Sequence, residues 1–382
     1  MAGGTFDKQV GKERPGTYIN FQSSKHDTVG GSDRGIVIIP LKNHNYGPKG
    51  EFITLTAAAP AAAYAKLGYS IYDSDDNRQM LLIREAFKKA ATVIVYRVNG
   101  GTEAKVTAAP VTAKAKYPGT RGNQLSFTVS ENPVEGFDVQ VNLAGSKVAE
   151  YTGLKTVEEL VAQDCEYITF SGTGALVKNA GANLTGGTDV TALLDASEGV
   201  KFNCMCFPFT EAALQAAAKT KIKYIRENIG KGVQIAMPNT ASGDYEGVIN
   251  VTNGVTVDGV DLTAEEACAW VAAATAAAKN TQSNTYVEYD GATAVVGAKT
   301  HEEAVAAIKN GEFFFSVSEE SKVVVEYDIN SLVNFKDGKD KSYRKNRVIR
   351  VFDTFGEALQ LNFPPNKYDN DPDGWDIMEG IG

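Results

Sequence analysis

The chain has 382 residues, 43% of them hydrophobic and 22% charged, with a formal net charge of −9. That length supports two or three domains with substantial cores, and the composition excludes wholesale disorder. An acidic chain without a long basic block is a poor match for nucleic acid, and no apolar run approaches the roughly 20 residues of a membrane-spanning helix.

Residues 1–33 read as an extended arm. Gly, Ser, Asp and Lys dominate, and Met1 to Lys8 lacks the basic and apolar regions of a signal peptide. The one strand-like run is Tyr18-Ile19-Asn20-Phe21, after Pro15-Gly16. A strand without a local partner leaves its backbone donors and acceptors unpaired, so it is expected to add to a sheet edge elsewhere.

From residue 34 to 101 the texture is α/β. Gly35 to Pro40 is a continuous apolar strand of the kind buried on both faces, and Phe52 to Thr56 is a second strand. Helices follow at Ala61 to Leu67 and Arg78 to Ala90, the latter with Leu81 and Leu82 on its apolar stripe and Glu85 and Lys88-Lys89 toward solvent. Thr92 to Val98 is another buried strand.

Asn99-Gly100-Gly101 marks a shift. Residues 102–190 read as an inserted, mostly β domain of short alternating strands, among them Leu125 to Val129, Phe137 to Leu143 and Tyr167 to Phe170. One helix interrupts them, begun by a Thr156/Glu159 capping box. Residues 191–382 return to α/β. Cys204 to Phe209 leads into a helix from Thr210 to Ile229, stopped by Gly230 and Gly232. Val233 to Met237 is a strand ended by Pro238. Gly247 to Val251 and Val255 to Val257 follow, the second after an Asn253-Gly254 turn signal. Thr263/Glu266 and Thr300/Glu303 cap two helices, through Lys279 and Lys309. Phe313 to Val317 and Lys322 to Tyr327 are expected to pair as a hairpin.

Catalytic constellations are missing. The sequence has neither a G-x-S-x-G elbow nor a G-x-x-x-x-G-K-[ST] loop. Its three histidines, His26, His44 and His301, read as surface residues. Cys165, Cys204, Cys206 and Cys268 lack zinc spacing and read as buried thiols of a reducing compartment. Asp73, Asp75 and Asp76 do not complete an EF-hand, and Asp369, Asp371, Asp373 and Asp376 read as a loop. The expectation is no catalytic site, no metal and no cofactor. One basic stretch stands out between Lys336 and Arg350. Its Lys339, Lys341, Arg344, Lys345 and Arg347 could face an acidic partner, or be a solvated turn and helix face.

Tyr327-Asp328-Ile329-Asn330-Ser331-Leu332 and Tyr343 to Asp353 (Tyr-Arg-Lys-Asn-Arg-Val-Ile-Arg-Val-Phe-Asp) resemble the signature block of contractile phage tail sheath proteins. Ala115 to Asn123 is similar to the start of that family's inserted β domain, and Thr263 to Ala278 to its Ala-rich core helix. Gly4-Thr5-Phe6 through Phe21 resembles the subtype of Gram-positive myophages, defective prophages and phage-tail-like bacteriocins. The resemblance implies a multidomain α/β (α+β) fold, with a core sheath domain, an inserted β domain and an N-terminal arm. It implies no enzyme, but a structural subunit that polymerises with copies of itself around an inner tail tube protein. Baseplate and tail terminator proteins would be its further partners, without membrane insertion. The particle would be a virion tail or tail-like body assembled in the bacterial cytoplasm, and contraction would drive the tube through a target envelope. The Tyr18 to Phe21 strand would weave into a neighbouring subunit, and the basic stretch is the candidate for tube contact. Family members continue beyond the Asn362 to Trp375 region into a C-terminal strand arm, so this chain is expected to lack that arm. A second reading makes the molecule a receptor- or carbohydrate-binding particle protein, with an exposed aromatic patch on residues 102–190.

Overall fold

The computed structural model describes residues 34–73, 78–98, 103–108, 111–118, 120–132, 134, 136–172, 190–241, 243–336 and 338–362. The Tyr18 to Phe21 strand and the Asp369 to Asp376 run lie outside the described residues. The chain divides into two compact units: residues 33–354, and residues 1–32 with 355–382. Only 355–362 of the second unit is described, as the end of a helix, and the architecture below is that of the first.

The first segment forms β1 (Ile36–Leu41), β2 (Phe52–Thr56), α1 (Ala62–Leu67), α2 (Gln79–Phe87) and β3 (Thr92–Arg97). A β-rich segment follows, with β4 (Glu103–Ala108), β5 (Val111–Pro118), β6 (Leu125–Glu131), β7 (Phe137–Leu143), β8 (Ser146–Leu154), α3 (Val157–Val161) and β9 (Ile168–Gly172). The chain then continues through α4 (Val190–Ala196), β10 (Cys204–Cys206), α5 (Ala212–Tyr224), β11 (Gln234–Pro238), β12 (Val248–Val251), β13 (Gly254–Val257), β14 (Val260–Leu262) and α6 (Ala264–Ala277). It ends through β15 (Ala292–Val296), α7 (His301–Lys309), β16 (Glu312–Phe313), β17 (Phe315–Val317), β18 (Val323–Val325) and α8 (Asn346–Asn362).

A seven-stranded sheet in the order β16-β12-β11-β10-β1-β3-β2 organises the core. All its pairs are parallel except the edge pair β2/β3. Parallel sheets need both faces covered, and successive side chains of a strand point to opposite faces. In β1, Val37, Ile39 and Leu41 therefore join α2 and α6 in one apolar cluster, while Ile38 joins α4 and α5 in the other. Burial on both sides explains why β1 reads as an uninterrupted apolar run.

Helix α6 lies against α2, β1, β10 and β11. Its Thr263/Glu266 capping box forms as expected. From Ala267 to Ala276 every residue is buried, and the alanines let a helix enclosed on all sides sit close to the sheet. Trp270 fills the remaining volume, stacked on Tyr289 at 4.5 Å between ring centroids. The β-rich segment supplies two three-stranded antiparallel sheets, β4-β5-β9 and β6-β7-β8. They share a core that includes Leu125, Phe127, Val141, Leu143 and Phe170.

Several expectations are corrected. Glu85 is not on a solvated face; it is fully buried, accepting from the Tyr289 hydroxyl at 2.7 Å and pairing with Lys88 at 2.7 Å. Burial first, and then the Glu85 carboxylate, push the Tyr289 hydroxyl well above its ordinary pKa. His44 is fully buried too, its Nε2–H donating to the Leu67 carbonyl at 2.8 Å. Its loop is held inside by Arg97, which donates to the carbonyls of His44 and Gly47 at 2.8 Å each. Desolvation lowers the Arg97 pKa to about 10.

Asn253-Gly254 does not turn a hairpin. The chain leaves the large sheet there, and the Asn253 side chain bonds both the N–H and the carbonyl of Phe315, completing a strand-like pairing. The hairpin comes at Asp258-Gly259 instead, both at positive φ (52° and 74°), between β13 and β14. The Phe313 to Val317 run is also split: β16 extends the large sheet beside β12, and only β17 pairs with β18. Helix α5 ends early, and residues 225–229 form one wide π turn before Gly230.

Candidate functional site

The residues from Tyr327 to Asp353 begin from a buried carboxylate. Asp328 accepts from the Asn284 backbone N–H at 2.9 Å, from Asn346 Nδ2 at 2.8 Å and from Arg350 Nη2 at 3.1 Å. Both members of the Asp328–Arg350 ion pair are essentially inaccessible, 0% and 1% exposed at the side chain. A buried pair of this kind depends on further hydrogen bonds to its members. Arg350 Nη2 also donates to the Gln282 carbonyl at 2.7 Å, while its Nε and Nη1 have no partner, and these bonds hold the first turn of α8 against the core. Arg226, set in the π turn, adds a two-pronged pair with Asp353 at 2.8 Å for each bond. Arg350 therefore leaves the basic stretch as a structural residue.

The segment between these anchors is pinned by backbone pairing. Ile329 and Lys345 form an antiparallel bridge, and the Asn330 N–H donates to the Arg344 carbonyl at 2.9 Å. The Asn330 side chain adds a bond to the Tyr343 carbonyl at 2.8 Å. Asp340 caps the 3-10 turn at 341–344 by accepting from the Ser342 N–H at 2.9 Å. The end of α7 comes close by, where Gly311, at φ +74°, passes within contact of the Ser331 backbone.

Between α7 and this turn lies a cavity of about 610 Å³. Val305, Ile308, Tyr327 and Ile329 supply its apolar wall, and Lys309, Lys341, Arg344 and Lys345 supply four cations with no carboxylate among the lining residues. Arg344 is only 8% exposed, yet its Nε and Nη2 have no hydrogen-bond partner. Burial lowers its pKa, with Tyr327 acting in the opposite sense. A buried guanidinium with open donors is costly, and its planar fork matches a carboxylate or phosphate.

The five basic residues singled out from sequence thus separate. Lys341, Arg344 and Lys345 line the cavity. Lys339 is engaged by Glu246 at 2.5 Å and lies over the Tyr245 ring. Arg347 is exposed on α8 and does not line the cavity. Lys309 joins from a helix more than thirty residues away in sequence; it reads there as an ordinary basic residue in a last helical turn, and only the fold brings it to Arg344.

Nothing catalytic assembles among the described residues. His301 is exposed in the first turn of α7, and no group of three or more metal-ligating side chains converges. No described helix is long and apolar enough to cross a membrane. Cys165, Cys204, Cys206 and Cys268 are all buried, and burial raises the Cys204 thiol to about 12. The aromatics of the β-rich segment are largely spent in its core, with Phe127, Tyr167 and Phe170 buried and Phe127 edge-on to Phe170 at 5.1 Å. Tyr117 and Tyr151 are half-buried against the same core, and Phe137 is exposed.

Comparison with known proteins agrees along the chain. Residues 34–98 match the tail sheath protein Gp18 domain III N-terminal region, 99–189 the phage tail sheath protein beta-sandwich domain, and 184–331 the phage tail sheath protein central domain. The chain is 37% identical to the phage-like element PBSX protein XkdK of Bacillus subtilis, over 94% of this chain and 81% of that one. It is similar to the crystal structure of the sheath tail protein of Desulfitobacterium hafniense, at 39% identity and a TM-score of 0.80, covering 96% of this chain and 86% of that one. The helical sheath of the anti-feeding prophage in its contracted state shares the fold, with a TM-score of 0.55 at 12% identity, covering 97% and 81%.

Proposed function

The chain belongs to the phage tail sheath family, and from that premise we propose that it polymerises with copies of itself around an inner tube and contracts to drive that tube through a target envelope. The observation that carries this reading is the 39% identity to the sheath tail protein of Desulfitobacterium hafniense over 96% of the chain. As a sheath subunit it is a component of a virion tail or a tail-like particle. We place its assembly in the host cytoplasm, with the tube, baseplate and terminator proteins as its further partners.

The mechanism needs no catalytic group. A sheath stores free energy as the difference between two lattices of the same subunits, and contraction is rigid-body re-packing between two sets of interfaces. A largely parallel sheet covered on both faces, with α6 buried against one of them, suits a body that moves without deforming. In this reading residues 1–33 are the arm and Tyr18 to Phe21 is its strand, which adds to a neighbour's sheet edge and keeps the lattice joined while it shortens. Residues 34–101 and 191–382 supply the core sheath domain, and 102–190 the inserted one. Of the basic stretch at Lys339, Lys341, Arg344, Lys345 and Arg347, we place all but the Glu246-held Lys339 on the partner-facing surface.

Removing residues 1–22 tests the weaving. The full chain should pellet as polymer in sedimentation, and the shortened chain should stay in solution while still melting cooperatively. Equal pelleting of the two would contradict the role given to the arm.

A further inference from the structure

We propose that the cavity between α7 and the turn before α8 is a carboxylate socket, filled by an acidic segment of a second copy of this chain. The inference deepens the polymer reading and rests on it. Three observations carry it. Arg344 is nine-tenths buried, and its Nε and Nη2 have no protein partner. The lining holds four cations and no carboxylate, around a volume of about 610 Å³. None of Lys309, Lys341 and Lys345 is committed to an ion pair within the described chain, whereas nearby Lys339 is held by Glu246.

A guanidinium fork with unused N–H groups at the base of a cationic recess is completed by a planar, two-oxygen acceptor. The apolar wall of Val305, Ile308, Tyr327 and Ile329 asks for more than a bare anion. An Asp or Glu flanked by an apolar side chain meets both demands; inorganic phosphate meets only the first. The source follows from charge. The chain carries 47 carboxylates against 38 lysines and arginines, so in a homopolymer each subunit surrounds its neighbours with acidic surface. Socket and acidic segment are different surfaces, which makes the contact heterologous. Contacts of that type close into rings or propagate into open helical polymers, depending on the rotation between copies.

The full chain is compared with its Arg344→Met and Lys309→Gln variants. Labelled peptides covering every acidic stretch of this sequence are the probes, with inorganic phosphate and ATP as competitors, and assembly is followed by sedimentation at increasing NaCl. At least one acidic peptide should bind the unmodified chain, more weakly as salt rises. Arg344→Met should cut that binding about tenfold or more and raise the assembly concentration similarly, since a charge-assisted bidentate contact is lost. Lys309→Gln should do the same to a lesser degree. Arg344→Met should melt no lower than the parent, which separates a lost socket from a lost fold. Unchanged peptide binding in Arg344→Met overturns the socket, as does saturable binding of phosphate or ATP that no acidic peptide displaces. Normal polymer with no Arg344 dependence overturns the socket and leaves the sheath reading standing. Arg344-dependent peptide capture by a chain that never polymerises supports the socket and overturns the sheath reading.

Discussion

Buried charge is unevenly rewarded in this protein. Arg97, Arg226 and Arg350 each have carbonyl or carboxylate partners inside the fold, although Arg350 leaves Nε and Nη1 unpaired, whereas Arg344 lines a cavity with its Nε and Nη2 unpartnered. Removing a buried, unsatisfied group lifts a penalty of about 1–3 kcal/mol, which is why the Arg344→Met variant is not expected to lose stability. Asp290 shows the opposite case. Burial works to raise its pKa, but hydrogen bonds from Lys89 and Trp270 Nε1 outweigh this and hold the carboxyl below its ordinary value. Its contribution is therefore present above the unfolded-state pKa of about 4 and is lost as pH falls through the lower folded value. Asp290→Asn is expected to melt lower than the parent at pH 7. It should also lose less melting temperature between pH 5 and pH 2.5, and parallel curves for the two proteins would show that Asp290 is not linked to acid unfolding.

At the scale of elements, the strand β13 turns on one glycine. A Cβ at Gly254 would lie 1.9 Å from the Leu262 carbonyl oxygen, which belongs to the backbone and has no flexible end to move. Gly254→Ala is expected to cost about 3 kcal/mol or more by overpacking. A chemical denaturation midpoint within error of the parent would contradict that packing. Much of the element pattern was legible in the sequence. The apolar run of β1 and the capping boxes at Thr156, Thr263 and Thr300 are local signals, and they stand where the residues put them. The failures are non-local. Asn253-Gly254 resembles a hairpin turn, but Phe315, sixty-two residues on, occupies the Asn253 side chain. Glu85 and His44 look like surface residues until Tyr289 and the Arg97-bound loop enclose them. Lys309 carries no sign of its position beside Arg344, because only the return of the chain after β18 creates that cavity. The basic stretch was visible as composition, but its division into a paired Lys339, a structural Arg350 and a cavity group required the fold.

For the molecule as a whole, shared ancestry and physical architecture lead to the same account. Sequence identity of 37–39% along nearly the entire chain accompanies a TM-score of 0.80 to a sheath tail protein. The fold has a stiff covered sheet and a signature block that locks α8 to the core through Asp328, Arg350 and Arg226. Work in such a system comes from exchanging subunit interfaces, so the chain's function is to be expressed only in the polymer. Negative-stain electron microscopy of the purified protein, concentrated at moderate salt, tests that claim most directly. Hollow, helically banded tubes of uniform diameter are the predicted result. Monodisperse particles at every concentration, with saturable affinity for a glycan, would contradict it.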